Sequence, residues 1–92
     1  MPLTLPLELS ICTAAETAAA WLDWLDGPDP GPVVDAADVE IVDGAGVQLL
    51  LALARALHRR GRELTLVDPS EPLRRACIAL GAHALVGAGS AA

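Results

Sequence analysis

The segment Asp43-Gly44-Ala45-Gly46 stands between an apolar, strand-like stretch and the most hydrophobic helical run of the chain. A short Asp/Gly turn that opens a helix makes a surface corner, where the first backbone N–H groups of the helix face a partner or an anion. Asp43 is expected to cap this helix by accepting N–H bonds from residues 45 and 46. Gly44 and Gly46 are expected to permit the turn and a close approach of helix and strand.

Hydrophobic periodicity on both sides of this corner predicts alternating strands and helices, and therefore an α/β fold. Thr13 and Glu16 fit a capping box for the first helix. Gly61 and Gly81 are expected to end the second and third helices. In order, the predicted elements are short edge strands within 3–11, a helix from 13 to about 26, a loop over 27–32, strand pieces over 33–35 and 39–42, a largely buried helix from 45 to 60, a strand over 63–67, a helix from 70 to 80, a last short strand over 84–86 and a flexible tail over 87–92.

Charge is distributed unevenly along the 92 residues. Nine of the 12 acidic residues fall within 1–54, a segment without Lys or Arg, whereas all six basic residues are arginines between positions 55 and 75. This uneven charge distribution suits a protein partner with a complementary charged patch. It would also arise if acids stood at helix starts and arginines at helix ends, where the helix dipole favours them. The net charge of −6 and the scarcity of aromatic residues argue against nucleic acid as a partner.

Cys12 and Cys77 belong to no CxxC pair, and no His stands at ligand spacing from either. They predict reduced thiols in a cytosolic protein.

The N-terminus lacks the basic region of a secretory signal, and the longest apolar run is too short to cross a bilayer. Neither the acidic residues nor the two His residues form a recognisable metal or catalytic pattern. We therefore expect a cytoplasmic protein with no catalytic residue, metal or cofactor and without direct membrane insertion.

From Val33 to Leu85 the chain resembles the STAS domain (sulfate transporter and anti-sigma factor antagonist) family. The family pattern is a strand, an Asp-[Ser/Thr]-x-Gly turn and a helix that begins in a Leu-rich run. Here the pattern reads Val39-Glu40-Ile41-Val42-Asp43-Gly44-Ala45-Gly46-Val47-Gln48-Leu49-Leu50. Arg60-Gly61 before a strand, a Pro69-Ser70 helix start and a helix ending at Gly81 follow in the family's order. The resemblance implies one compact α/β domain over 1–92, a small mixed β-sheet with helices packed against it.

In the anti-sigma factor antagonists of this family, a partner kinase phosphorylates the Ser or Thr after the Asp. The unmodified domain binds that kinase and frees a sigma factor. The equivalent position here is Gly44, which has no hydroxyl group. The resemblance thus implies a non-catalytic module of bacterial signal transduction and transcription regulation that lacks the usual phosphorylation site. Its partner would be an anti-sigma factor kinase or a chemotaxis histidine kinase, bound through Asp43, Gly44, Ala45, Gly46 and Gln48.

Two other functions stay open at this point. The small stand-alone STAS proteins that the chain resembles include accessory subunits of a phospholipid-transport ABC (ATP-binding cassette) complex, so an ABC ATPase is the alternative partner. A small nucleotide-binding protein is the third hypothesis. It is opposed by the absence of a Lys after the glycine turn and by the carboxylate of Asp43, which would repel an anion. A homodimer is compatible with each hypothesis.

Overall fold

The computed structural model describes residues 3–27 and 33–87. Short strands alternate with helices along these residues, as expected for an α/β fold. The elements are β1 (Leu3–Thr4), β2 (Glu8–Leu9), α1 (Ala14–Leu25), β3 (Val33–Asp35), β4 (Ile41–Val42), α2 (Gly44–Arg59), β5 (Thr65–Val67), α3 (Glu71–Ala79) and α4 (His83–Gly87). Most of the predicted loop over 27–32 and most of the predicted tail lie outside the described residues, although Gly87 belongs to α4 and not to a tail.

The described strands form two small sheets, one with the order β1-β3-β5 and the other with the order β2-β4. All of their pairings are parallel, and β2 and β4 are joined in the register Leu9 opposite Val42. The α/β class is as expected, but the two parallel sheets differ from the single mixed sheet of the expectation. The chain passes from the first sheet to the second at Pro6. Leu5 N–H still donates to Asp35 O (2.9 Å), while Leu7 O already accepts from Glu40 N–H (2.8 Å). Pro6 has no N–H to donate to a ladder, so it suits this transition.

The buried apolar side chains form one cluster between the sheets and the helices. Val47, Leu50, Leu53 and Leu57 repeat at helical spacing and bury one face of α2. Each such fully buried side chain stabilises the fold by roughly 1.5–3 kcal/mol. The opposite face of α2 is exposed at Gln48, Ala52, Arg55 and Arg59. The prediction that α2 is largely buried therefore holds for its apolar face and for the half-buried Leu49, Leu51 and Ala56 beside that face, but not for this exposed side.

Glycine ends both α2 and α3, as predicted. Gly61 and Gly81 adopt positive φ values of 76° and 75°, which L side chains rarely adopt. The following N–H groups then turn back onto the last helical turn, with Arg62 donating to Leu57 O (2.9 Å) and Ala82 donating to Cys77 O (2.7 Å).

Two local predictions were wrong. Thr13 precedes α1, but its Oγ1 accepts from Ser10 N–H (3.2 Å) and donates to Glu8 O (3.1 Å), so its hydroxyl does not cap the helix. Residues 84–86 are helical and not a strand. Ala82 and Val86, four residues apart, are both buried, and in a helix this spacing brings both to one face.

Candidate partner-binding corner

The corner forms where β4 ends and α2 begins, beside the loop that follows β2. Parallel pairing sets Leu9 opposite Val42, so the next residues of both segments also lie side by side. Asp43 N–H donates to Leu9 O (3.1 Å), which extends the ladder by one bond before α2 starts. The pairing of two strands therefore brings the β2–α1 loop against the first turn of α2.

Both carboxylate oxygens of Asp43 are hydrogen-bonded within the chain. Oδ2 accepts from Ile11 N–H (3.0 Å) and Oδ1 accepts from Gly46 N–H (3.0 Å). Donation from Ile11 first, and from Gly46 second, lowers the pKa of this carboxyl below its ordinary value, with a smaller contribution from Ala45 N–H. The predicted cap of α2 is confirmed, and the bond to Ile11 makes Asp43 a tie between the helix and the β2–α1 loop.

Gly46 is buried against β2. A Cβ atom at this position would lie 2.1 Å from Leu9 O and 2.8 Å from Leu9 Cβ, closer than real Cβ contacts come. The absence of a side chain therefore permits the close approach of α2 to β2 that was expected from the glycines of the turn. Gly46 therefore has a packing role, and because it is buried it has no exposed surface for a partner to contact.

The outer face of the corner consists of Gly44, Gln48, Ile11 and Leu80. Gly44 and Gln48 are exposed on α2, while the adjacent Ala45 is half-buried. Ile11 and Leu80 expose 71% and 56% of their surfaces. A Cβ atom on Gly44 would lie 3.9 Å from Leu80 Cδ1, which is ordinary van der Waals contact. Five residues were predicted from the sequence to bind the partner, and two of them, Gly44 and Gln48, are exposed to solvent.

Ile11 and Leu80 were not among the residues that the sequence predicted for this corner. Ile11 continued an alternating strand pattern, and Leu80 was the last residue of a predicted helix. Their common signal is a large apolar residue just beyond the end of a regular element, and more than half of each residue's surface is exposed.

Other features of the described residues bear on the remaining hypotheses. Residues 3–27 and 33–87 contain no group of three or more His, Cys, Asp or Glu side chains that is arranged to hold a metal ion. None of the helices in this part of the chain is long and apolar enough to cross a membrane. Cys12 is exposed, whereas Cys77 is buried, and burial raises the pKa of its thiol.

A family model described as "Mlab, STAS domain" matches residues 3–87. No curated protein and no solved structure shows a significant match to the chain. The matched range runs from β1 to α4 and includes the whole corner. The chain belongs to the STAS domain family.

Proposed function

We propose that this chain is a non-catalytic, anti-sigma factor antagonist-like regulatory module that acts in the bacterial cytoplasm. It binds a protein partner, a kinase-like anti-sigma factor or a chemotaxis histidine kinase, through the outer face of the corner. The observation that carries this proposal is that two large apolar side chains are exposed at the corner: Leu80 lies beside Gly44, and Ile11 belongs to the loop that donates to Asp43. Large apolar side chains grouped beside small polar ones are typical of interface anchors with a polar rim.

The hydrogen bonds of Asp43 and the burial of Gly46 indicate that these two residues stabilise the corner, whereas their exposed neighbours are free to contact the partner. Since both Asp43 oxygens accept bonds from within the chain, the carboxylate holds the corner in shape while its neighbours meet the partner. Gln48, one turn further along α2, offers an amide that both donates and accepts hydrogen bonds. The proposed contact set therefore combines two large apolar side chains with one polar side chain.

We further propose that partner binding at this corner is not controlled by phosphorylation of position 44. Gly44 has no oxygen to accept a phosphoryl group, yet its surroundings leave room for a side chain. Phosphorylation at a helix start adds charge and bulk to the surface that must fit the partner. A carboxylate introduced at residue 44 would imitate that change without disturbing the core.

The test is calorimetry with a purified partner that affinity capture from the native host has identified. Gly44→Glu is expected to weaken binding at least about tenfold, which corresponds to about 1.4 kcal/mol. Ala19→Glu is the matched control, because it adds the same charge at an exposed helical position on α1, away from the corner. If Gly44→Glu bound as tightly as Ala19→Glu, the outer face would not be the interface.

A second candidate is an accessory subunit of a phospholipid-transport ABC complex. It is favoured by the resemblance to small stand-alone STAS proteins together with the description of the matched family model. This candidate predicts that an ABC ATPase co-purifies with the chain in stable proportion and that transporter genes are its neighbours. Capture of a kinase from a signalling operon, with no ABC ATPase present, would refute it.

We do not propose nucleotide binding at the corner. A phosphate at the start of α2 would need the backbone N–H of Gly46, and that group donates to Asp43 instead. If magnesium–ATP or magnesium–GTP nevertheless raised the melting temperature of the native protein, a nucleotide site elsewhere would have to be sought.

A further inference from the structure

The C-terminal half of α2 borders an open groove of about 540 Å³, well along the helix from the corner. Half-buried Leu51 and Ala54 form an apolar floor, and exposed Arg55 and Arg59 stand on α2 beside them. His58 and Glu63 complete the lining. The groove thus combines an apolar floor with two cationic side chains.

The charges of Arg55 and Arg59 are not neutralised by the rest of the described chain. Among the described residues, Glu63 is the one carboxylate that lines the groove, and it contacts His58 Nδ1 at 2.8 Å. Within residues 3–27 and 33–87, neither Arg55 nor Arg59 forms an ion pair or a side-chain hydrogen bond. Arg60 differs, because it donates to Leu25 O (2.9 Å) and pairs with Asp26 (3.5 Å). In a chain of net charge −6, two unpaired arginines beside one another are a local reversal of sign.

We propose that this groove binds an acidic segment of a protein partner that also carries apolar side chains. Arg55 and Arg59 are four residues apart, so their guanidinium groups rise from one face of α2, about 6 Å apart along the axis. Alternate side chains of an extended peptide are about 6.6 Å apart, which matches this separation. Guanidinium forks bind carboxylates through paired N–H···O bonds, and the floor of Leu51 and Ala54 takes up apolar side chains of the same segment.

This proposal is independent of the corner, since it concerns the C-terminal half of α2 and a different chemistry. The outer face of the corner is apolar and carries no basic residue, whereas the groove selects for negative charge. A partner that binds both the outer face of the corner and the groove would contact α2 at two separate places.

The test uses a blocked ten-residue peptide that alternates Glu and Leu, titrated into the full chain at 50 mM and 500 mM salt. Binding is expected at low salt and is expected to weaken strongly at high salt. Arg55→Gln combined with Arg59→Gln is expected to reduce affinity by about three- to tenfold, since each exposed ion pair contributes only modestly. Arg74→Gln combined with Arg75→Gln removes the same charge from α3, outside the groove lining, and should change affinity by less than about twofold.

Circular dichroism and melting curves of both double variants establish that each retains the native fold. The proposal is overturned if the wild-type chain does not bind the peptide, or if both double variants lose affinity equally. It is also overturned if hexaglutamate binds as tightly as the mixed peptide, because the apolar floor would then play no part. Arg55- and Arg59-dependent binding to phosphatidylglycerol vesicles without peptide binding would assign the groove to a membrane surface instead.

Discussion

Gly44 and Gly46 lie two residues apart in the first turn of α2, but they belong to opposite sides of the corner. Gly46 faces inward, where an added Cβ would lie 2.1 Å from Leu9 O. Gly44 faces outward, where an added Cβ would first meet Leu80 Cδ1 at 3.9 Å. The same residue type therefore has a packing role at one position and leaves surface open at the other. The inner side of the corner is therefore needed for packing, and the outer side is available for the proposed partner binding.

The largest effect is expected from Gly46→Ala. The clashing atom is a backbone oxygen of β2, which cannot rotate away, so α2 and β2 must move apart and lose the bonds of the corner. We expect a loss of about 3 kcal/mol in the free energy of unfolding, measured by urea denaturation. An unchanged free energy of unfolding for Gly46→Ala would remove the distinction between the two sides of the corner.

A smaller loss, with a characteristic pH dependence, is expected from Asp43→Asn. The folded pKa of Asp43 lies below its ordinary value of 3.8, because Ile11 and Gly46 donate to the ionised carboxylate. The stabilisation is therefore fully present above the unfolded pKa and is lost as the pH falls through the lower folded pKa. The difference in melting temperature between wild type and Asp43→Asn should be constant from about pH 5 to 7 and shrink below about pH 4. Asp23→Asn, an exposed control on α1, should show a smaller difference, and a pH-independent gap for Asp43→Asn would contradict this account.

A still smaller loss is expected at the start of α3, where Ser70 caps a helix without tying it to another segment. Its Oγ accepts from Leu73 N–H at 3.3 Å, a bond made within one turn. Ser70→Ala should cost about 1 kcal/mol of unfolding free energy. Ser70→Asn keeps an acceptor at the cap and should restore most of that loss. If Ser70→Ala destabilised the protein as much as Asp43→Asn does near neutral pH, the bond from Ile11 to Asp43 would add nothing beyond an ordinary cap.

Local signals in the sequence were sufficient to predict the start of α2 at the corner and the ends of α2 and α3. Asp43, Gly61 and Gly81 act on N–H or C=O groups within about one turn, so a short pattern contains the whole interaction. The STAS resemblance supplied the α/β class in the same way, through an ordered set of such short patterns.

Interactions between distant segments lay beyond the same reasoning. The bond from Ile11 to Asp43 joins residues 32 positions apart and exists because β2 pairs with β4. Thr13 has the right residue type for a cap, but the turn before it takes its hydroxyl. Residues 84–86 are too few to distinguish a strand from a helix by periodicity, so their helical conformation became visible only in the structure. That the exposed Ile11 and Leu80 belong to the same corner became visible only in three dimensions.

The smallest effect, and the only gain, is expected from Gly44→Ala. Residue 44 is the first of α2, it needs no positive φ, and an alanine methyl would be in ordinary contact with Leu80. Replacing Gly by Ala at such a site removes conformational freedom from the unfolded chain and should raise the free energy of unfolding by about 0.4–1 kcal/mol. The sign is then opposite to that of Gly46→Ala in the same urea experiment. A loss of stability in Gly44→Ala would show that the outer side is also committed to the fold. Weaker partner binding by Gly44→Glu would in that case reflect a damaged corner, so the stability of Gly44→Ala decides how the binding experiment is interpreted.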